Sequence, residues 1–66
     1  MKLWINGDAG EGAAGKTVGS LLARLGIDPR RVAVERNLEI VPKARYDDTA
    51  LAEGDRIEIV HFVGGG

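Results

Sequence analysis

Apolar and polar positions alternate at both ends of the chain and recur at helical spacing once between them. Leu3 and Ile5 share one face of Met1 to Asn6, and Lys2, Trp4 and Asn6 share the other, as in a strand with one buried side. Gly7-Asp8 reads as the turn that follows. Residues 9 to 15 are Ala, Gly and Glu only, so a second strand there has almost no side chains to pack and is expected to be weak and mobile. Val18, Leu21, Leu22 and Leu25 then recur at offsets of 0, 3, 4 and 7, one apolar stripe of a helix. Thr17 suits its N-cap, and Gly19 in the first turn costs up to ~1 kcal/mol relative to alanine without breaking the pattern. Gly26 is placed as a left-handed C-cap, Ile27 can make the apolar contact that often follows, and Asp28-Pro29 closes the helix.

Val32-Ala33-Val34-Glu35-Arg36 is rich in β-formers, and Asn37 suits a turn. Leu38-Glu39-Ile40 alternates again before Pro42 stops it. Residues 43 to 52 are polar and irregular, with room for one short helical turn around Ala44 to Asp47. Glu53-Gly54-Asp55 is a turn signal, and Arg56 to Phe62 is the longest and cleanest strand. The pattern therefore predicts an α+β domain of two layers, a mixed sheet of four to five strands packed on one main helix. The domain runs over 1-63, and a flexible glycine tail occupies 64-66. The expected core is Leu3, Ile5, Val18, Leu21, Leu22, Leu25, Val32, Val34, Leu38, Ile40, Leu51, Ile57 and Ile59. Pattern alone leaves the strand order open.

Composition narrows the chemistry. With 66 residues there is one modest core, and with no cysteine there is no disulfide, thiolate zinc site or catalytic thiol. Any sulfur handled here cannot ride on the chain's own thiol. Nine Lys and Arg against ten Asp and Glu give a net charge of −1, and neither sign forms a block. Trp4, Tyr46 and Phe62 are the only aromatics and lie far apart in sequence, so a nucleic-acid partner is disfavoured. No apolar run reaches membrane-spanning length and no signal-peptide pattern opens the chain, so a cytoplasmic protein with no membrane partner is expected.

Two local features have rival readings. Gly10 to Thr17 matches the phosphate-cradling pattern G-x-x-x-x-G-K-T. That motif works within a parallel sheet with crossover helices and an acidic residue on another strand, and this chain has one helix. A chance assembly of small residues in a hairpin is the better reading. His61 is the sole histidine, and without a cysteine beside it a solvated or partly packed residue is expected, not a metal ligand.

The closing glycines carry more information. Gly64-Gly65-Gly66 follows the longest strand with no polar spacer. Backbone without Cβ atoms makes a thin filament that can enter a narrow channel on another protein, with a carboxylate at its tip. Nucleotidyl transfer from ATP would turn that carboxylate into a mixed anhydride open to a sulfur nucleophile. If Leu3, Ile5, Ile57 and Ile59 face the helix, alternation puts Trp4, Val60 and Phe62 on the opposite face, an expected exposed patch beside the tail.

Taken in order, Thr17-Val18, Leu21-Leu22, Val32-Ala33-Val34-Glu35-Arg36-Asn37, Ile40-Val41-Pro42-Lys43, Tyr46, Gly54-Asp55-Arg56-Ile57-Glu58-Ile59-Val60 and the terminal glycines resemble the ThiS family. These are the sulfur carriers of thiamine biosynthesis, with the β-grasp (ubiquitin-like) fold. The resemblance covers essentially the whole chain, and the glycine-rich stretch from Gly10 to Gly15 departs from it. It implies that Gly66 is adenylated and converted to a thiocarboxylate, with Gly65 as second glycine of the pair and Gly64 lengthening the filament. The implied partners are an E1-like adenylating enzyme of the ThiF type, a thiazole synthase of the ThiG type, and a sulfur donor such as a cysteine desulfurase. Trp4, Val60, Phe62 and Gly64 would meet the adenylating enzyme. The chain itself would be a monomer and a co-substrate, not an enzyme; it would bind no cofactor, ATP being used by the activating partner. The alternatives are the small subunit of molybdopterin synthase, which uses the same glycine chemistry, a ubiquitin-like modifier or binding module, and, on the phosphate motif alone, a nucleotide-binding fragment.

Overall fold

The computed structural model describes residues 1–12 and 16–63, so the end of the expected weak strand and the glycine tail lie outside the described residues. The described residues form five strands and one α-helix: β1 (Lys2–Ile5), β2 (Asp8–Glu11), α1 (Val18–Arg24), β3 (Val32–Arg36), β4 (Glu39–Val41) and β5 (Arg56–His61). Single 3-10 turns lie at Pro29–Arg31 and Lys43–Arg45. The sheet order is β2-β1-β5-β3-β4. Its outer pairs are antiparallel, and β5 lies at the centre, parallel to β1 and antiparallel to β3. This is the β-grasp arrangement expected from the resemblance.

Local chemistry explains most boundaries. Thr17 caps α1 by accepting from the Ser20 amide at 3.1 Å, and Ser20 Oγ accepts from the Thr17 amide at 2.8 Å, a reciprocal capping box. At the other end Gly26 takes φ +72°, its amide reaches Ala23 O at 3.1 Å, and the Ile27 amide reaches Leu22 O at 2.9 Å. That pair of bonds is a Schellman closure. It swings Ile27 back onto the core and leaves Leu25, expected in the core, 43% exposed beyond the last helical turn.

The first hairpin turns one residue earlier than expected. Asn6 (φ 49°) and Gly7 (φ 85°) form the turn, and Asp8 already pairs with Ile5. Two successive positive φ values match the right-handed twist of the flanking strands. Strand β2 forms over Asp8–Glu11 despite its small side chains, because its four pairs with β1 are made by backbone.

The core lies between α1 and one face of the sheet. Leu3, Val32, Val34, Val41, Ile57 and Ile59 come from strands, Val18, Leu21 and Leu22 from the helix, and Tyr46 and Leu51 from the long connection before β5. Ile5 packs against this cluster but is only half-buried. Besides Leu25, two expected core residues are outside it: Leu38 is 87% exposed and Ile40 is 66% exposed. The cause is the second hairpin, where Asn37 (φ 53°) and Leu38 (φ 71°) are both turn residues. Arg36 therefore pairs with Glu39 and Val34 with Val41, so Val41 faces inward and Ile40, opposite Glu35, faces out. Tyr46, in a stretch expected to be irregular and polar, is buried instead, and its hydroxyl donates to Val32 O at 3.1 Å. Burial raises its pKa.

Candidate functional site at the end of the central strand

The end of β5 is where the fold delivers the chain toward its closing glycines. Alternation along β5 buries Ile57 and Ile59 and exposes Arg56, Glu58 and Val60. Beyond the strand the ladder continues for one bond, from the Phe62 amide to Arg31 O at 2.9 Å. Val63 is 96% exposed. The sheet thus holds the chain through Phe62 and releases it there.

Different partners hold the two edges of β5. On one side β3 pairs along its length, from Arg36↔Ile57 to Val32↔His61. On the other, β1 pairs only Trp4↔Arg56 and Ile5↔Ile57 before turning away. The Asn6 side chain then takes over, accepting from the Ile59 amide at 2.7 Å and donating to Ile59 O at 3.3 Å.

The turn that holds Phe62 is itself braced. Asp28 accepts from the Arg30 amide at 2.9 Å and from the Arg30 guanidinium at 3.0 and 3.2 Å, and it stands 3.6 Å from Arg31 Nε. Hydrogen bonds from the Arg30 side chain and amide hold the Asp28 carboxyl down to about 2. At the far end of β5, Asp55 is buried. Burial alone would raise its pKa, but Arg36 Nε at 2.8 Å, Asn37 Nδ2 at 2.9 Å and the Ala52 amide at 2.8 Å bond the charged form, and the net shift is downward.

The structure brings together only part of the expected patch. Val60 and Phe62 share the open face of the sheet beside the chain's exit, 60% and 56% exposed. Trp4 is on that face too, but opposite Arg56, four residues before Val60. At a strand rise of about 3.3 Å per residue this places it roughly 13 Å away along β5. Trp4 is only half-buried, with Lys2 Nζ at 5.5 Å from its ring centroid. It is therefore not part of the surface beside the exit. Gly64, Gly65 and Gly66 lie outside the described residues.

Sequence reasoning missed two contributors. Lys43 stands 4.5 Å from the Phe62 ring centroid and donates to Arg30 O and Val32 O at 3.2 and 3.3 Å. Nothing in its spacing marks it. Asn6 was legible in principle, since Asn-Gly between two strand patterns is a strong hairpin signal. Of the phosphate motif, Gly10 lies within β2 and pairs with Leu3, and residues 13–15 lie outside the described residues. Among the described residues no cluster of three potential metal ligands occurs, and no helix is long and apolar enough to cross a membrane.

Comparison with known proteins places this geometry in a family. The sequence model of the ThiS family matches residues 3–66. The sulfur carrier protein ThiS of Bacillus subtilis (strain 168) is 52% identical over 50 residues, covering 76% of each chain. A thiazole synthase of Paramagnetospirillum magneticum is 58% identical over all 66 residues. Another, of Magnetococcus marinus, is 47% identical over the same length. The chain spans only 20% of either thiazole synthase. Among solved structures, the crystal structure of the thiamine biosynthesis protein ThiS from Geobacter metallireducens superposes with a TM-score of 0.86 at 35% identity, each chain covered completely.

Proposed function

Because the chain belongs to the ThiS family, we propose that it is a sulfur carrier that supplies sulfur for thiazole formation in thiamine biosynthesis. The observation that carries this reading is the release point of β5. The central strand is held through Phe62, and the glycines follow one residue after the sheet lets go. A rigid body with a thin end can place a carboxylate inside another protein's active site while the folded part stays outside.

The chemistry follows from the carboxylate of Gly66. One of its oxygens attacks the α-phosphorus of ATP on an adenylating enzyme of the ThiF type, and pyrophosphate leaves. A sulfur nucleophile fed by a donor such as a cysteine desulfurase then attacks the acyl carbon, and AMP leaves with the bridging oxygen. With hydrosulfide as the nucleophile, loss of its proton leaves the thiocarboxylate directly. With a protein persulfide the product is an acyl disulfide, and a thiol reductant then cleaves its S–S bond, leaving the acyl–sulfur bond on Gly66. Gly65 and Gly64 keep the approach free of side chains. The chain is a co-substrate in this scheme and supplies no catalytic group.

A thiazole synthase is the proposed recipient. Stretches similar to this whole chain lie within two proteins named thiazole synthase, which favours a functional link between the two activities. The proposed docking surface for the adenylating enzyme is Val60 with Phe62, next to the exit. Apolar anchors of this kind supply most of the energy of typical interfaces.

Intact mass measurement tests the scheme. The chain is incubated with the adenylating enzyme of its own organism, ATP and a sulfide source. Replacement of one oxygen by sulfur at the C-terminus is expected. It should vanish when Gly66 is deleted or a residue is added after it. Equal loading of an extended chain would overturn the assignment.

A further inference from the structure

Building on the carrier reading, we infer that Lys43 is a positioning residue for sulfur loading: it fixes the Phe62 ring, and with it the direction in which the chain leaves β5. One short stretch anchors both partners. Arg31 O accepts the Phe62 amide at 2.9 Å, while the flanking carbonyls of Arg30 and Val32 accept Lys43 Nζ at 3.2 and 3.3 Å. The same ammonium stands 4.5 Å from the Phe62 ring centroid. Phe62 is thus held twice, by its backbone through Arg31 and by its ring through Lys43.

A surface lysine is ordinarily a solvated charge on a flexible stem. Lys43 differs because three directions around its nitrogen are already occupied, two by carbonyl oxygens and one by an aromatic face. Val32 O can accept both Lys43 and Tyr46, since a carbonyl has two lone pairs. Tyr46 is buried, so the Lys43 anchor is tied through one carbonyl to the core. Val63 beyond it has no such support and is almost fully exposed. The Lys43–Phe62 contact is therefore the last side-chain contact with the fold that the described residues make before the glycines. The position of the Phe62 backbone therefore sets where the glycine segment begins.

Two variants and two readouts test this. Lys43→Met keeps the stem and removes the charge, whereas Lys43→Arg keeps the charge. Backbone ¹⁵N relaxation reads order at Phe62 and Val63 without any partner. Loading kinetics with the adenylating enzyme, ATP and sulfide read the consequence. Lys43→Met should loosen Phe62 and Val63 but not Leu22, and should lower kcat about threefold with a smaller change in KM. Lys43→Arg should restore most of both. In a Phe62→Leu background Lys43→Met should add nothing, because the ring it acts through is gone. Unchanged relaxation at Phe62, or looser Phe62 with unchanged kcat, would overturn the inference. So would a salt-dependent rise in KM that persists in the Phe62→Leu background, since Lys43 would then be touching the partner itself. If the wild-type chain is not loaded at all, the carrier reading fails first and the inference falls with it.

Discussion

The side-chain amide of Asn6 takes both main-chain groups of Ile59, accepting from its N–H at 2.7 Å and donating to its C=O at 3.3 Å. It stands in for the strand partner that β1 would have supplied had it not turned away. Asn6→Gly keeps the positive φ accessible while deleting both bonds, so a loss beyond the roughly 0.4–1 kcal/mol cost of glycine's freer unfolded state reports the amide. The expected cost is about 1–3 kcal/mol, read by urea unfolding with an unchanged m-value. Ile59 amide exchange should accelerate more than that of Leu22.

Leu38→Gly is expected to stabilise the fold. Leu38 is 87% exposed and sits at φ +71°, where a Cβ costs roughly 1–2 kcal/mol. Glycine removes that strain and completes an Asn-Gly turn, though its freer unfolded state returns about half of the gain. Thermal unfolding should rise by a few degrees, and a fall would mean that Leu38 packs in a way its exposure does not reveal.

Docking should depend on the end of the open face near the exit. Val60→Ala should raise the apparent KM for adenylation by roughly tenfold, the effect of losing about 1.4 kcal/mol from a central apolar anchor. Its thermal unfolding should barely move, because Val60 is 60% exposed. Trp4→Ala, at the other end of β5, should leave KM within about twofold. Equal effects from the two variants would place the partner across the whole face.

Acid should undo the fold through Asp55. Its carboxyl titrates below the ordinary value of 3.8, so its contribution is complete above that value and is lost as pH falls through the folded pKa. Asp55→Asn should cost about 2 kcal/mol at pH 7, leaving Arg36 without its charged partner. The same substitution should cost progressively less as the pH drops below 4. Asp28 is held down as well, to about 2, and the Phe62 amide resonance should follow its titration there through the Arg30–Arg31 turn. A stability difference between wild type and Asp55→Asn that is flat with pH would refute the role given to the charge.

Local chemistry was legible in the sequence and long-range register was not. The limits of α1 follow from Thr17 and Gly26, each acting within four residues of itself. The inward face of β5 follows from its alternation. Leu38 misled because leucine in a left-handed turn contradicts its own preference. Counting alternation from Leu38 then put Ile40 inside and Val41 outside, the reverse of the pairing with β3. Tyr46 carries no periodic signal, since a lone aromatic in a connection is buried by whatever lies beneath it. Trp4 shows the same limit at the site. Alternation assigned its face, but its height along β5 depends on pairing between residues about fifty apart, which no local pattern encodes. The ordered resemblance to a family supplied the function, because the three glycines alone fit a carrier, a modifier or a plain flexible end.

Placing the exit on the central strand also sets how the molecule bears force. A partner that grips the glycines and withdraws pulls along β5, parallel to the strand axis. The five pairs from Arg36↔Ile57 to Val32↔His61 then resist together, in shear. Had the exit been at the free edge of β2, the same pull could peel four pairs one after another like a zipper. In single-molecule stretching from residue 63 against a clamp at Arg36, the opposite end of β3, rupture should come in one step at high force. Pulling β2 outward from Glu11 should give low, gradual yielding. In the proposed carrier role, where the chain is drawn into one enzyme after another, the shape is kept because the handle is fastened lengthwise to the middle of the sheet.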